Sequence, residues 1–152
     1  MFSDTWILLS EGLFHVKRDL VKTNHLRCNP NFNNKPQYDY VLVDTPNGVI
    51  FAQLLFMFTT STETRIDPWV LIHPYDAQNG QPSTHEKDLQ LFQICAKAPA
   101  SSCFISAKSI IRGVIIIPTF NKESEYYVFD LLNTDLFVCV QELWKEHLVG
   151  SQ

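Results

Sequence analysis

The sequence predicts a mainly β fold, a single small β-barrel with a short C-terminal helix, and three observations predict it. Short apolar runs rich in β-branched and aromatic residues recur at close spacing along the chain. Turn-forming Pro, Gly, Asn, Asp and Ser separate them, as in small barrels and sandwiches. Apart from an ambiguous N-terminal segment, only the end, near residues 141–148 (QELWKEHL), reads as a helix. With 152 residues, 45% of them hydrophobic, the chain reads as one all-β domain able to bury a sizeable core.

The elements follow in order. Residues 6–9 and 13–17 flank Ser-Glu-Gly in the manner of a hairpin, with a helix as the alternative. Tyr38 to Val43 (YDYVLV) is a strand ending at Thr45-Pro46-Asn47-Gly48, where Pro presets φ and Asn-Gly supplies a left-handed residue. Val49 to Phe58 (VIFAQLLFMF) is a near-continuous apolar run, read as the second strand of a hairpin. Thr59 to Asp67 is polar and reads as a loop. Trp69 to His73 is a short strand that Pro74 is expected to stop, and residues 74–87 read as a long loop.

Leu89 to Lys97 returns to strand, broken at Pro99-Ala100-Ser101-Ser102. Cys103 to Ser106 is a strand end, and Gly113 to Ile117 is a buried strand closed by Pro118. Glu125 to Asp130 and Leu136 to Val140 are further strands about an Asn133-Thr134-Asp135 turn.

Charge narrows the partners. With 12 Lys and Arg against 16 Asp and Glu, the formal net charge is -4. A general nucleic-acid coat needs a basic surface to displace counterions from phosphates, so any DNA contact would be local. The start, MFSDTWILLSEG, lacks a basic lead and a long apolar core, so a secreted location is not expected and a nuclear or cytoplasmic one is. The four cysteines show no Cys-x-x-Cys spacing and read as free thiols. No phosphate-cradling glycine pattern or metal-ligand spacing occurs, so no cofactor is expected.

The stretch Ser109 to Pro118 (SIIRGVIIIP) is the most unusual phrase. A membrane span needs about 20 apolar residues, and this run is too short. A fully buried strand fits, with Gly113 marking a bulge or tight bend. Arg112 at its entry either binds a phosphate or carboxylate of a partner or pairs with an internal acid such as Asp130 or Asp135. The internal pairing is preferred, because a buried guanidinium needs a counter-charge.

Asp39, Asp44, Asp76, Asp130 and Asp135 are the raw material for a two-metal nuclease, but Asp44 and Asp135 adjoin turns, where Asp bonds to backbone. His15, His73 and His85 have no fixed spacing to a nucleophile. Trp69, Tyr75, Tyr126 and Tyr127 are the best material for a ligand site. Their faces attract methylated ammonium groups, with Asp76 as a nearby acid, although such residues more often pack across strands. The candidate ligand-binding residues are therefore Trp69, Tyr75, Asp76 and Arg112, and no catalytic residue is assigned.

Several phrases together resemble a known family. Leu26-Arg27-Cys28-Asn29-Pro30-Asn31-Phe32, Pro36-Gln37-Tyr38-Asp39, Ile72-His73-Pro74-Tyr75-Asp76, Ser109-Ile110-Ile111-Arg112-Gly113 and Asn133-Thr134-Asp135-Leu136-Phe137 resemble, in order, a C-terminal region of basidiomycete transposase-like proteins of the Plavaka type. The resemblance covers residues 25–143, leaving 1–24 as an extension. It implies a stand-alone or truncated transposon-derived accessory domain, with the nuclease part expected upstream.

The layout of Val49 to Phe58, Trp69 to Asp76 and Ile111 to Gly113 is also similar to that of bromo-adjacent homology (BAH) domains, small barrels that read chromatin or bind proteins. These readings lead to a non-enzymatic interaction module with a protein partner, a histone tail being one form. A DNA-binding remnant is the alternative, and a metal-dependent nuclease ranks below both.

Overall fold

The structure, a computed structural model, describes residues 6–10, 13–19, 22–77, 91–120 and 122–129. The fold is mainly β. Among the described residues there are eleven strands, and the only helical segments are two three-residue 3-10 turns, Pro99–Ser101 and Ala107–Ser109. The expected strand at 136–140, the turn at 133–135, most of the 74–87 loop and the helix at 141–148 lie outside the described residues.

Strands β1 (Trp6–Ser10), β2 (Leu13–Asp19), β3 (Lys22–Phe32) and β4 (Lys35–Tyr38) form one sheet in chain order. The expected N-terminal hairpin is present as β1–β2, with Ser10 opposite Leu13. β3 and β4 were not expected as strands. Their hairpin turns on Asn33 and Asn34, both left-handed at φ 51° and 63°, with Phe32 opposite Lys35. Two consecutive left-handed residues match the twist of a hairpin, and Asn tolerates that region better than most side chains.

β5 (Tyr40–Thr45) and β6 (Gly48–Ser61) form the expected hairpin. The left-handed residue at its turn is Gly48, at φ 116°, and Thr45 Oγ1 donates to the Gly48 carbonyl at 2.6 Å. β7 (Ile66–Ala77) pairs antiparallel with β6 from Phe51–Tyr75 to Ser61–Ile66. The polar stretch from Thr59 is thus largely strand, and the loop shrinks to a turn in which Thr62 N–H donates to the Arg65 carbonyl.

Pro74 does not stop β7. Its carbonyl accepts the Lys97 N–H at 3.2 Å, so that edge of Pro74 faces away from β6. A residue's N and O project to the same side of a strand, and the missing Pro donor costs the β6 ladder nothing.

β8 (Phe92–Ala96), β9 (Cys103–Ser106), β10 (Ile110–Pro118) and β11 (Glu125–Phe129) complete the described strands. The contacts group into two compact units. The first comprises Met1–Tyr75 and Lys97–Gly113, the second Asp76–Ala96 and Val114–Gln152.

The core of the first unit is a cluster of Leu26, Val41, Val43, Ala52, Leu54, Val70, Ile72, Ala107 and Ile110. Gly113 belongs here, and the reason for a glycine is steric. A Cβ on it would lie 2.9 Å from Leu26 Cδ2. Gly113 was expected at the start of its strand, but β10 begins three residues earlier, at Ile110, and Gly113 makes its close approach inside it.

In the second unit β10 from Ile115 pairs antiparallel with β11, and β11 with β8. Val114, Ile116, Val128, Phe92 and Ile94 are buried, whereas Ile115 and Ile117 are 48% and 39% exposed. The expectation of a fully buried strand is corrected accordingly: the run alternates with the strand period of two.

Candidate functional site

The most chemically distinctive surface of the first unit lies on β6, β7 and β9, and a one-residue irregularity in β6 creates it. Leu54 stands opposite Ile72, but the next pair is Phe56 opposite Leu71, leaving Leu55 as the extra residue of a bulge. Before the bulge, Ala52 and Leu54 point into the core, and after it Met57 does. Inserting one residue inverts the inside–outside alternation of everything that follows. Phe56 and Phe58, inward by simple alternation from Leu54, are turned to the outer face.

Two cross-strand rows result. Leu71 stands opposite both Phe56 on β6 and Phe104 on β9, and Trp69 stands opposite Phe58 and Ser106. Phe56 and Phe58 stack at 6.2 Å between ring centroids, and Phe58 meets Phe104 edge-on at 5.6 Å. Phe56 and Phe104 are each 57% exposed, and Trp69 is 36% exposed. A contiguous aromatic patch of this kind marks an interaction surface more often than a chance arrangement. Trp69 Nε1–H donates to Thr60 Oγ1 at 3.2 Å, which fixes the indole plane. Beyond it, Arg65 Nε and Asp67 Oδ1 form an exposed ion pair at 2.6 Å.

The four residues singled out from the sequence take different places. Trp69 belongs to this face. Tyr75 is buried at 4% exposure, edge-on to Tyr40 at 5.9 Å and tilted against His73 at 5.5 Å. Six residues of strand, at about 3.3 Å each, set Trp69 and Tyr75 about 20 Å apart. They do not share a pocket, and a cage built on Trp69 would draw its other walls from Phe58 or Phe104.

Asp76 is exposed and assigned to the second unit. Arg112 is half-buried on β10 and forms no ion pair among the described residues. Its proposed counter-charges, Asp130 and Asp135, lie outside them.

The remaining chemistry-bearing groups are largely committed to structure. His73 Nε2 lies 2.7 Å from the Lys97 carbonyl, an acceptor only, so that nitrogen carries the proton. Asp39 sits between β4 and β5 and ties them to β3 and β6. Its Oδ2 accepts the Arg27 N–H at 2.7 Å, its own N–H donates to the Arg27 carbonyl, and its carbonyl accepts the Leu54 N–H. In the second unit the buried Glu125 carboxylate accepts Gln93 Nε2 at 2.8 Å and Lys122 Nζ at 2.6 Å. Among the described residues no group of three or more His, Cys, Asp and Glu could hold a metal ion, and no helix is long and apolar enough to cross a membrane.

The three described thiols differ in environment. Burial, and after it the Asp39 carboxylate, raise the Cys28 pKa to about 11. Burial first, then Glu125, push the Cys95 thiol up; Asp76 adds to this and Lys122 opposes it. Cys103, on β9, is exposed. The thiolate is the nucleophile. Iodoacetamide at pH 8 followed by peptide mass mapping is therefore expected to label Cys103 well before Cys28, and equal rates would contradict this. Because the folded-state pKa of Cys28 is raised from 9.0, its contribution to stability is present below that value and is lost as pH climbs through about 11.

Comparison with known proteins adds no relative: no family model, no curated protein and no solved structure matches the chain. The fold and the site define a class, a mainly β chain carrying an outward aromatic face on β6, β7 and β9.

Proposed function

We propose that this chain is a non-enzymatic protein-interaction module that engages its partner through the aromatic face of β6, β7 and β9. The observation that carries the reading is the bulge at Leu55, which turns Phe56 and Phe58 outward beside Trp69 and Phe104. Fully burying a phenylalanine side chain is worth about 1.5–3 kcal/mol, which makes these rings the natural anchors of a contact. In this reading the strands close as a small barrel of BAH-like layout, and the chain is an accessory domain related to Plavaka-type transposase-like proteins. Its setting is nuclear or cytoplasmic. In the chromatin form of the proposal the partner is a histone tail, whose methylated ammonium group would lie on the face of Trp69.

Titration of the intact chain with a trimethyllysine histone-tail peptide and with duplex DNA, at low and at physiological salt, tests the reading. A protein module is expected to bind peptide with little salt dependence. A DNA-binding remnant would bind duplex with an affinity falling steeply with salt. Phe56→Ser with Phe104→Ser is expected to weaken peptide binding at least about tenfold, a loss of about 1.4 kcal/mol. The melting temperature should change little, because both rings are already more than half exposed. Salt-sensitive duplex binding, or peptide binding untouched by the double substitution, would overturn the proposal.

A further inference from the structure

The face ends at a strand edge, and that edge has a chemistry of its own. Among the described residues β9 pairs only with β7, and no described strand hydrogen-bonds to the main chain on its other side. Proteins usually protect such edges with charge, proline or a bulge. β4, at the end of the four-stranded sheet, follows that rule with Lys35 and Pro36. β9, with sequence CFIS, has none of these devices, and its Cys103 and Phe104 are exposed.

The chain segment that carries this edge has charge of one sign. Residues 97–112 contain Lys97, Lys108 and Arg112 and no acid, in a chain of net charge -4. Lys108, two residues beyond the end of β9, is exposed and forms no ion pair among the described residues. On β7, the Asp67 carboxylate is held by Arg65 at 2.6 Å.

From the edge that no described strand covers, the exposed Phe104 and the acid-free flanking segment, we infer that β9 is a strand-addition site for an extended acidic peptide of a partner protein. Such a peptide adds its backbone to β9, places an apolar side chain beside Phe104 and a carboxylate beside Lys108. A second copy of the chain would bring the same positive flank to the contact. A phosphate backbone cannot pair with the main-chain ladder. The inference rests on the protein-interaction reading and departs from its histone-tail form, because a basic tail would meet Lys108 with like charge.

The test uses the intact chain and a fluorescent peptide of about seven residues, the ordinary length of a strand, alternating valine and threonine with glutamate at both ends. Three comparisons accompany it: the same peptide with lysine ends, the same peptide N-methylated at alternate backbone nitrogens, and Lys108→Glu protein. The glutamate-ended peptide is expected to bind at least about tenfold more tightly than the lysine-ended one, with the preference reduced by Lys108→Glu. N-methylation should abolish binding. Because it alters only the ligand, this readout is independent of protein folding.

Binding that survives N-methylation overturns strand addition, as does failure of the glutamate-ended peptide to bind. If the trimethyllysine peptide still binds in a manner sensitive to Phe56→Ser with Phe104→Ser, the interaction module stands and only the acidic-strand inference falls.

Discussion

Gly113→Ala is expected to destabilise the protein by about 1–3 kcal/mol, a drop of several degrees in melting temperature. The new methyl would lie 2.9 Å from Leu26 Cδ2, and Leu26, only 2% exposed, is held within the core cluster. Gly113 is not left-handed, so backbone strain is no part of the cost. Entropy alone would favour alanine there by about 0.4–1 kcal/mol.

A double-mutant cycle isolates the clash. Leu26→Ala alone should cost about 2–5 kcal/mol by leaving a cavity. In that background Gly113→Ala is expected to cost nothing or to stabilise, so the two changes are strongly coupled. Thermal and urea unfolding of the four proteins would measure it. Additive losses would show that contact with Leu26 is not why a glycine stands at position 113.

Asp39→Ala is expected to cost about 1.5–3 kcal/mol, the range for a hydrogen bond to a charged group. The carboxylate accepts the Arg27 N–H at 2.7 Å, at the point where the chain passes from β4 to β5. Asp39→Asn keeps an acceptor and should cost less. A second readout comes from Cys28, whose thiol pKa is raised by burial and then by Asp39. Removing the carboxylate should increase Cys28 alkylation at fixed pH while leaving Cys103 unchanged. Unfolding curves that superimpose on those of the unsubstituted protein would show that Asp39 is not a structural tie.

Much of the β architecture was legible because strand signals are local. The run at 40–45, the Pro-Asn-Gly turn and the strands at 92–96, 103–106 and 125–129 follow from β-branched content and turn residues within a few positions of one another. The misread positions share a different cause. Pro74 looks like a stop when read alone, yet its carbonyl points to Lys97 and its missing donor lies off the β6 ladder. The polar residues after Thr59 look like a loop, but where both faces of a hairpin are wet, polarity does not oppose pairing. Asn33-Asn34 is a turn signal of the same local kind, two residues that tolerate the left-handed region.

The candidate surface was only partly legible. Trp69 stands out in the sequence as a candidate ring, whereas Phe56, Phe58 and Phe104 look like ordinary strand content. Nothing in VIFAQLLFMF says where a bulge falls, because the extra residue is defined by the partner strand. Tyr75, paired with Trp69 in the sequence reading, is separated from it by six residues of the same extended strand.

By itself, then, the sequence determined a mainly β chain, the Pro46-Asn47 turn and the strand character of SIIRGVIIIP, all set by backbone preferences that act over neighbouring residues. Tertiary structure alone decided that Gly113 makes room for Leu26, that Asp39 is a tie between strands, and that a bulge at Leu55 turns two phenylalanines to the surface. Register and close approach are properties of pairs of segments distant in the chain, and no local pattern in either segment encodes them.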